Sequence, residues 1–128
     1  MAEDTPGDGV AQGIARPGKL SYMQIPAVDA LKSADFYRAV FGWTVGDNPE
    51  HVSFSDTTGE LIGAWVTNLA VSAEPGILPY IYVRDVHATI DALKANGGQV
   101  VTAPYPEGAL TVATFRDPAG NVIGIWQG

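Results

Sequence analysis

Asp117-Pro118-Ala119-Gly120-Asn121-Val122-Ile123-Gly124-Ile125-Trp126 closes the chain as a turn followed by a short apolar strand. The chain has already used this phrase once, as Asp56-Thr57-Thr58-Gly59-Glu60-Leu61-Ile62-Gly63-Ala64-Trp65. Aspartate, glycine three residues on, Ile-Gly and then tryptophan recur at identical spacing. Internal repetition of this kind dictates architecture, because each copy must fold as the same unit. It predicts two copies of one small module.

Working outward from the first copy, Leu20 to Ile25 alternates as a strand, with Met23 and Ile25 on one face and Tyr22 and Gln24 on the other. Asp29 is placed to cap a helix running to Phe41, with Leu31, Ala34, Tyr37 and Phe41 at helical spacing and Gly42 as the stop. Trp43-Thr44-Val45 begins a second strand. Asp47-Asn48-Pro49 is a turn, and His51 to Ser55 is a third strand. Leu61 to Val66 is the fourth. The unit reads βαβββ.

Residues 67–77 show no period and form a connector. The unit then restarts. Pro79 to Val83 is a strand, and Asp85 caps a helix whose buried stripe is Val86, Ile90 and Leu93. Gly97-Gly98 stops that helix. Gln99 to Thr102 is a strand, Ala103 to Gly108 a proline-rich loop, and Thr111 to Phe115 the third strand. Neither unit is large enough to bury its helix alone. The expected fold is α+β: two tandem βαβββ modules forming an open, barrel-like cleft, with helices outside. The expected organisation is a flexible tail over residues 1–19 and one domain over 20–128, with module one at 20–67 and module two at 78–128.

The 128 residues suffice for one domain. There are no cysteines, which excludes disulfides, thiolate metal sites and cysteine catalysis. A net charge of −7 opposes binding to nucleic acid or to an anionic membrane surface. No apolar run approaches the length of a bilayer span. Residues 1–19 lack the basic start and apolar run of a secretory leader, so the expected location is cytoplasmic. Gly7-Asp8-Gly9 completes no dinucleotide-binding fingerprint.

Tyr22-Met23-Gln24-Ile25-Pro26, followed by Asp35-Phe36-Tyr37-Arg38-Ala39-Val40-Phe41-Gly42-Trp43, resembles the first module of the glyoxalase/bleomycin-resistance/dioxygenase superfamily, the vicinal oxygen chelate proteins. The Asp85-Val86 helix ending in Gly97-Gly98, and the Asp117–Asn121 turn, resemble its second module. The resemblance covers residues 20–128 and implies the fold and a homodimer. It also implies a divalent metal held by a His on the first strand of each module and a Glu or Gln on the last. Hard nitrogen and oxygen donors would have to converge there. The corresponding first-strand positions here are Leu20, Tyr22 and Gln24, then Leu78, Tyr80 and Tyr82. The last-strand carboxylates fall on Gly63 and Gly124. No family-type metal site, and no cofactor, is expected. His51 and Glu60 are the donors left for any other set.

Strand alternation then assigns the cleft. With Ile62, Ala64, Ile123 and Ile125 toward the helices, Tyr22, Gln24, Gly63, Trp65, Tyr80, Tyr82, Gly124 and Trp126 face inward as ligand-binding residues. Two glycines leave room and the rings line it, giving a flat, stackable pocket with polar tips. Plain packing of Trp65 and Trp126 at the sheet interface is the competing reading. Tyr22, His51 and Tyr80 are candidate proton-handling groups. The expected function is metal-independent binding of an apolar or aromatic small molecule, of the drug-sequestering type. The alternative is a metal-independent lyase, isomerase or cyclase acting on a carbonyl or polyketide-like substrate. A metal-dependent glyoxalase or dioxygenase ranks third.

Overall fold

The computed structural model describes residues 14–128. The expected mobile tail lies outside the described residues over 1–13, as does Gly7-Asp8-Gly9. Residues 14–19 are held against module one: Ile14 is buried, Arg16 pairs with Glu60 at 2.7 Å, and Lys19 donates to the carbonyls of Leu20 and Glu60.

Module one contains β1 (Tyr22–Pro26), α1 (Ala30–Phe41), β2 (Thr44–Val45), β3 (Ser53–Ser55) and β4 (Ile62–Val66). Module two repeats the order as β5 (Tyr80–Tyr82), α2 (Val86–Ala95), β6 (Gln99–Glu107), β7 (Leu110–Arg116) and β8 (Val122–Gln127). Each module makes one mixed four-stranded sheet, ordered β1-β4-β3-β2 and β5-β8-β7-β6. The first strand of each runs parallel to the last. The fold is α+β and open, with β1 and β5 both left as edge strands.

The helices begin where short acidic side chains satisfy free backbone donors. Asp29 accepts from Lys32 N at 3.2 Å, and Asp85 from Ala88 N at 3.0 Å. Gly42 ends α1 with a φ of 74°, the left-handed cap that glycine adopts without strain. Val86, Ile90 and Leu93 are buried on α2, as their spacing predicts. The buried face of α1 is turned from the expected one. Ala34 and Tyr37 are inside, but Ser33 and Phe36 join them, while Leu31 is exposed. Phe36 takes the inner position because its ring meets Phe115 across the module boundary, with centroids 5.9 Å apart.

One continuous core therefore lies between the helices and both sheets. Its first-module half is aromatic: Trp43 stacks between Tyr37 and Phe54, each 4.8 Å away, and Trp65 lies 4.9 Å from Phe54. Aromatic pairs at such distances add to the burial of their surface.

A buried polar knot ties the modules together. Asp117 Oδ2 accepts from the Tyr37 hydroxyl at 2.8 Å and from Asn121 Nδ2 at 2.9 Å. Its Oδ1 accepts from the backbone of Ala119, Gly120 and Asn121. Asn121 also donates to Pro26 O and accepts from Ser72 N in the connector.

The expected loop at Ala103–Gly108 is instead the far half of β6, which is paired with β7 out to Glu107. Pro104 and Pro106 fit because β6 is an edge strand and its register shifts twice, between Val100 and Thr102 and between Thr102 and Tyr105. His51 precedes β3 rather than opening it.

Candidate functional site

The two repeated phrases do not present the same face. In module two the predicted parity holds. Tyr80 pairs with Gly124 and Tyr82 with Trp126, opposite the buried Ile123 and Ile125. In module one it is reversed. Met23 pairs with Gly63 and Ile25 with Trp65, and Phe54 pairs with Gly63. Trp65 is 3% exposed and packs on Tyr37, Trp43 and Phe54. Gly63 and Trp65 therefore face the core beside α1, not the cleft. Ile62 and Ala64 share the open face with their partners Tyr22 and Gln24.

The cause is one residue in the turn. Asp56 N donates to Leu61 O, five residues on, whereas Asp117 N donates to Asn121 O, four residues on. The aspartate-to-tryptophan spacing is the same in both copies, but the first turn consumes one residue more. A one-residue slip sends every side chain of a strand to the opposite face.

The glycines also have a different reason from the one their position suggested. A Cβ on Gly124 would lie 2.4 Å from the Tyr80 ring. A Cβ on Gly63 would meet Phe54 Cζ at 2.5 Å and Met23 O at 1.8 Å. Each glycine is covered by a neighbouring ring, so the room expected for a ligand is filled by Tyr80 and Phe54.

The remaining aromatic surface belongs to module two. A cavity of about 290 Å³ is lined by Tyr80, Glu107, Leu110, Val112 and Trp126. Trp126 is held edge-on by Tyr82, with ring centroids 4.9 Å apart and planes at 72°. The rings of Tyr80 and Tyr82 are exposed. Partial desolvation by the surrounding side chains, then the neighbouring Tyr105 and Glu107, push the Tyr80 hydroxyl above the ordinary phenol range. At neutral pH it is a neutral hydrogen-bond donor and not a base.

His51 is not part of this arrangement. It lines a separate cavity of about 370 Å³ with Glu50, Val52, Trp65 and Asn68 among others. Arg116 donates to the carbonyls of Ala73 and Gly120 and so ties the closing turn to the connector. Leu110 and Val112 were not singled out by sequence. Their link to Trp126 lies in the pairing of Val112 with Trp126, which no local pattern announces.

The residues present do not fit the metal that the fold family implies. The open-face positions on β1, β4, β5 and β8 offer Tyr22, Gln24, Ile62, Ala64, Tyr80, Tyr82, Gly124 and Trp126. That set has one amide and three phenols, not the imidazole and carboxylate donors a divalent cation takes. Among the described residues, no three His, Asp or Glu side chains converge as a metal-holding group.

With the fold and this face in view, comparison with known proteins defines the class. The chain belongs to the Glyoxalase/Bleomycin resistance protein/Dioxygenase superfamily, whose family model matches residues 19–125. It is 31% identical over 133 residues to the anthracycline biosynthesis protein DnrV of Streptomyces peucetius, covering 87% of this chain and 47% of that one. It is 30% identical over 122 residues to the protein CFP32 of Mycobacterium tuberculosis (strain CDC 1551 / Oshkosh), covering 88% and 46%. The chain thus spans about half the length of these curated relatives. Among solved structures, TnmS3, an antibiotic-binding protein from Streptomyces sp. CB03234, superposes with a TM-score of 0.67 at 26% identity, covering 85% of this chain and 94% of that one. The protein SA1046 from S. aureus reaches a TM-score of 0.71 at 20% identity, covering 88% and 95%.

Proposed function

We propose that this protein is a metal-independent binder of an apolar or aromatic small molecule, held on the module-two face against Trp126 and Tyr80. The observation that carries the reading is the composition of that cavity. One indole, one phenol and two aliphatic side chains surround a volume of about 290 Å³, with one carboxylate, Glu107, at its wall. Rings stack on rings at little entropic cost, and a neutral Tyr80 hydroxyl supplies one directional donor to a ligand carbonyl. The donor set described above supports metal independence. Similarity to an antibiotic-binding protein and to an anthracycline biosynthesis protein supports a planar natural product as ligand and sequestration as role.

Catalysis on a carbonyl substrate is the weaker reading. Tyr80 and His51 line different cavities, so they do not act on one substrate atom. The exposed rings of Tyr22, Tyr80 and Tyr82 support pairing of two copies across this face.

Equilibrium dialysis against an anthraquinone, with the ligand recovered and analysed, tests the proposal. Saturable retention of unchanged ligand, unaffected by a chelator, is expected. Turnover, or retention lost on chelation, would overturn it.

A further inference from the structure

Glu107 is the one charged side chain in the wall of the module-two cavity. The strand register explains why it meets aromatic rings there. Tyr82 pairs with Trp126, Trp126 with Val112, and Val112 with Tyr105, so these four form a row across the four strands of the sheet. Tyr80, Leu110 and Glu107 stand two residues from Tyr82, Val112 and Tyr105, and alternate residues of a strand share a face. Glu107 therefore lies on the same face as four aromatic side chains. Its carboxylate is close enough to the Tyr80 hydroxyl to help hold that group above the ordinary phenol range. Glu107 has no cationic partner among the described residues. The ion pairs among them join Arg16 to Glu60 and Arg38 to Asp35, and Arg116 is held by backbone carbonyls.

We infer that the ligand of this face is a cation: a planar aromatic molecule carrying a protonated alkyl amine, with the amine beside Glu107 and the ring system against Trp126. The inference rests on the module-two site proposed above and names the class of molecule that it takes. Two features select positive charge together. The faces of the Trp126 and Tyr80 rings carry negative potential and attract an ammonium group placed over them. The Glu107 carboxylate adds a direct attraction, which strengthens where the ligand displaces water. A neutral ring system would stack equally well but gain nothing from Glu107. A carboxylate or phenolate would meet like charge there, on a chain whose net charge is −7. Glu107 is exposed at the end of β6, so water solvates its charge while the site is empty. Its role is to select the ligand and not to react with it.

The probes are three anthraquinones bearing an aminomethyl, a hydroxymethyl or a carboxyl group at the same ring carbon: cationic, neutral and anionic at neutral pH. Equilibrium dialysis gives their dissociation constants for the full-length protein, Glu107→Gln and Asp91→Asn. Asp91→Asn makes the same charge change at an exposed position on α2 that does not line the cavity. The aminomethyl probe is expected to bind the parent about fivefold more tightly than the hydroxymethyl probe, the worth of one exposed ion pair. The carboxyl probe is expected to bind more weakly than either. Glu107→Gln is expected to erase the difference between the aminomethyl and hydroxymethyl probes, and Asp91→Asn to keep it. Equal affinity for those two probes in the parent would overturn the inference and leave the module-two site standing. So would an advantage that survives Glu107→Gln, or one that Asp91→Asn removes as well, because net charge and not Glu107 would then select the ligand. Retention of none of the three probes would overturn the module-two site, and this inference with it.

Discussion

At the scale of single residues, Gly63 and Gly124 look alike in sequence and fail differently when changed. Both sit under an aromatic ring, but only Gly63 also faces backbone, with Met23 O 1.8 Å from an added Cβ. Gly63→Ala must push β1 and β4 apart and is expected to cost about 3 kcal/mol or to prevent folding. Gly124→Ala displaces only the exposed Tyr80 ring, so its folding should suffer by about 1 kcal/mol while anthraquinone binding weakens. Chemical denaturation and dialysis of the two variants separate these outcomes. Asp117 is the other decisive residue. It accepts five hydrogen bonds at 3% exposure. Asp117→Ala orphans the Tyr37 hydroxyl and the turn amides and should cost about 3–5 kcal/mol in denaturant unfolding. Tyr37 itself adds a pH dependence. Burial, and then Asp117, hold its hydroxyl well above the ordinary phenol range. The unfolded chain therefore releases this proton first, near pH 10. The contribution is complete below that pH and is lost as pH rises toward the folded-state value. Unfolding free energy measured from neutral to strongly alkaline pH should fall from about pH 10 upward, and less steeply in Tyr37→Phe.

At the scale of elements, the lesson is one of register. The repeat made the βαβββ order legible, and Asp29, Gly42 and Asp85 marked the helix ends where the structure has them. The strand faces of module two were legible for the same reason. Those of module one were not, because the extra residue between Asp56 and Leu61 is a matter of which backbone groups pair, and equal Asp-to-Trp spacing conceals it. The run Ala103–Gly108 was misread because Pro104 and Pro106 signal a loop locally. Only the sheet order shows that they lie on an edge strand, where proline is tolerated. The two tryptophans report the register directly. Trp65→Ala empties part of the core and should cost about 3–5 kcal/mol. Trp126→Ala loses mainly its contact with Tyr82 and should cost about 1 kcal/mol. Equal losses would mean that the two phrases face alike after all.

At the scale of the whole molecule, the helices and one aromatic-rich core join the modules, while the open faces of the two sheets differ in character. Module one presents Tyr22, Gln24 and Ile62, with Ala64 buried on the same side; module two presents Tyr80, Tyr82 and Trp126, with Gly124 covered by the Tyr80 ring. The sequence-level cleft was symmetric, with a tryptophan from each module. The molecule concentrates its stacking surface on one module and places the other tryptophan in the core. The decisive measurement is a fluorescence titration with an anthraquinone, run in parallel on the parent chain and on Trp126→Ala. Saturable quenching in the parent, with affinity lost in Trp126→Ala although that variant remains folded, is the predicted result. Undiminished affinity in Trp126→Ala would contradict the account.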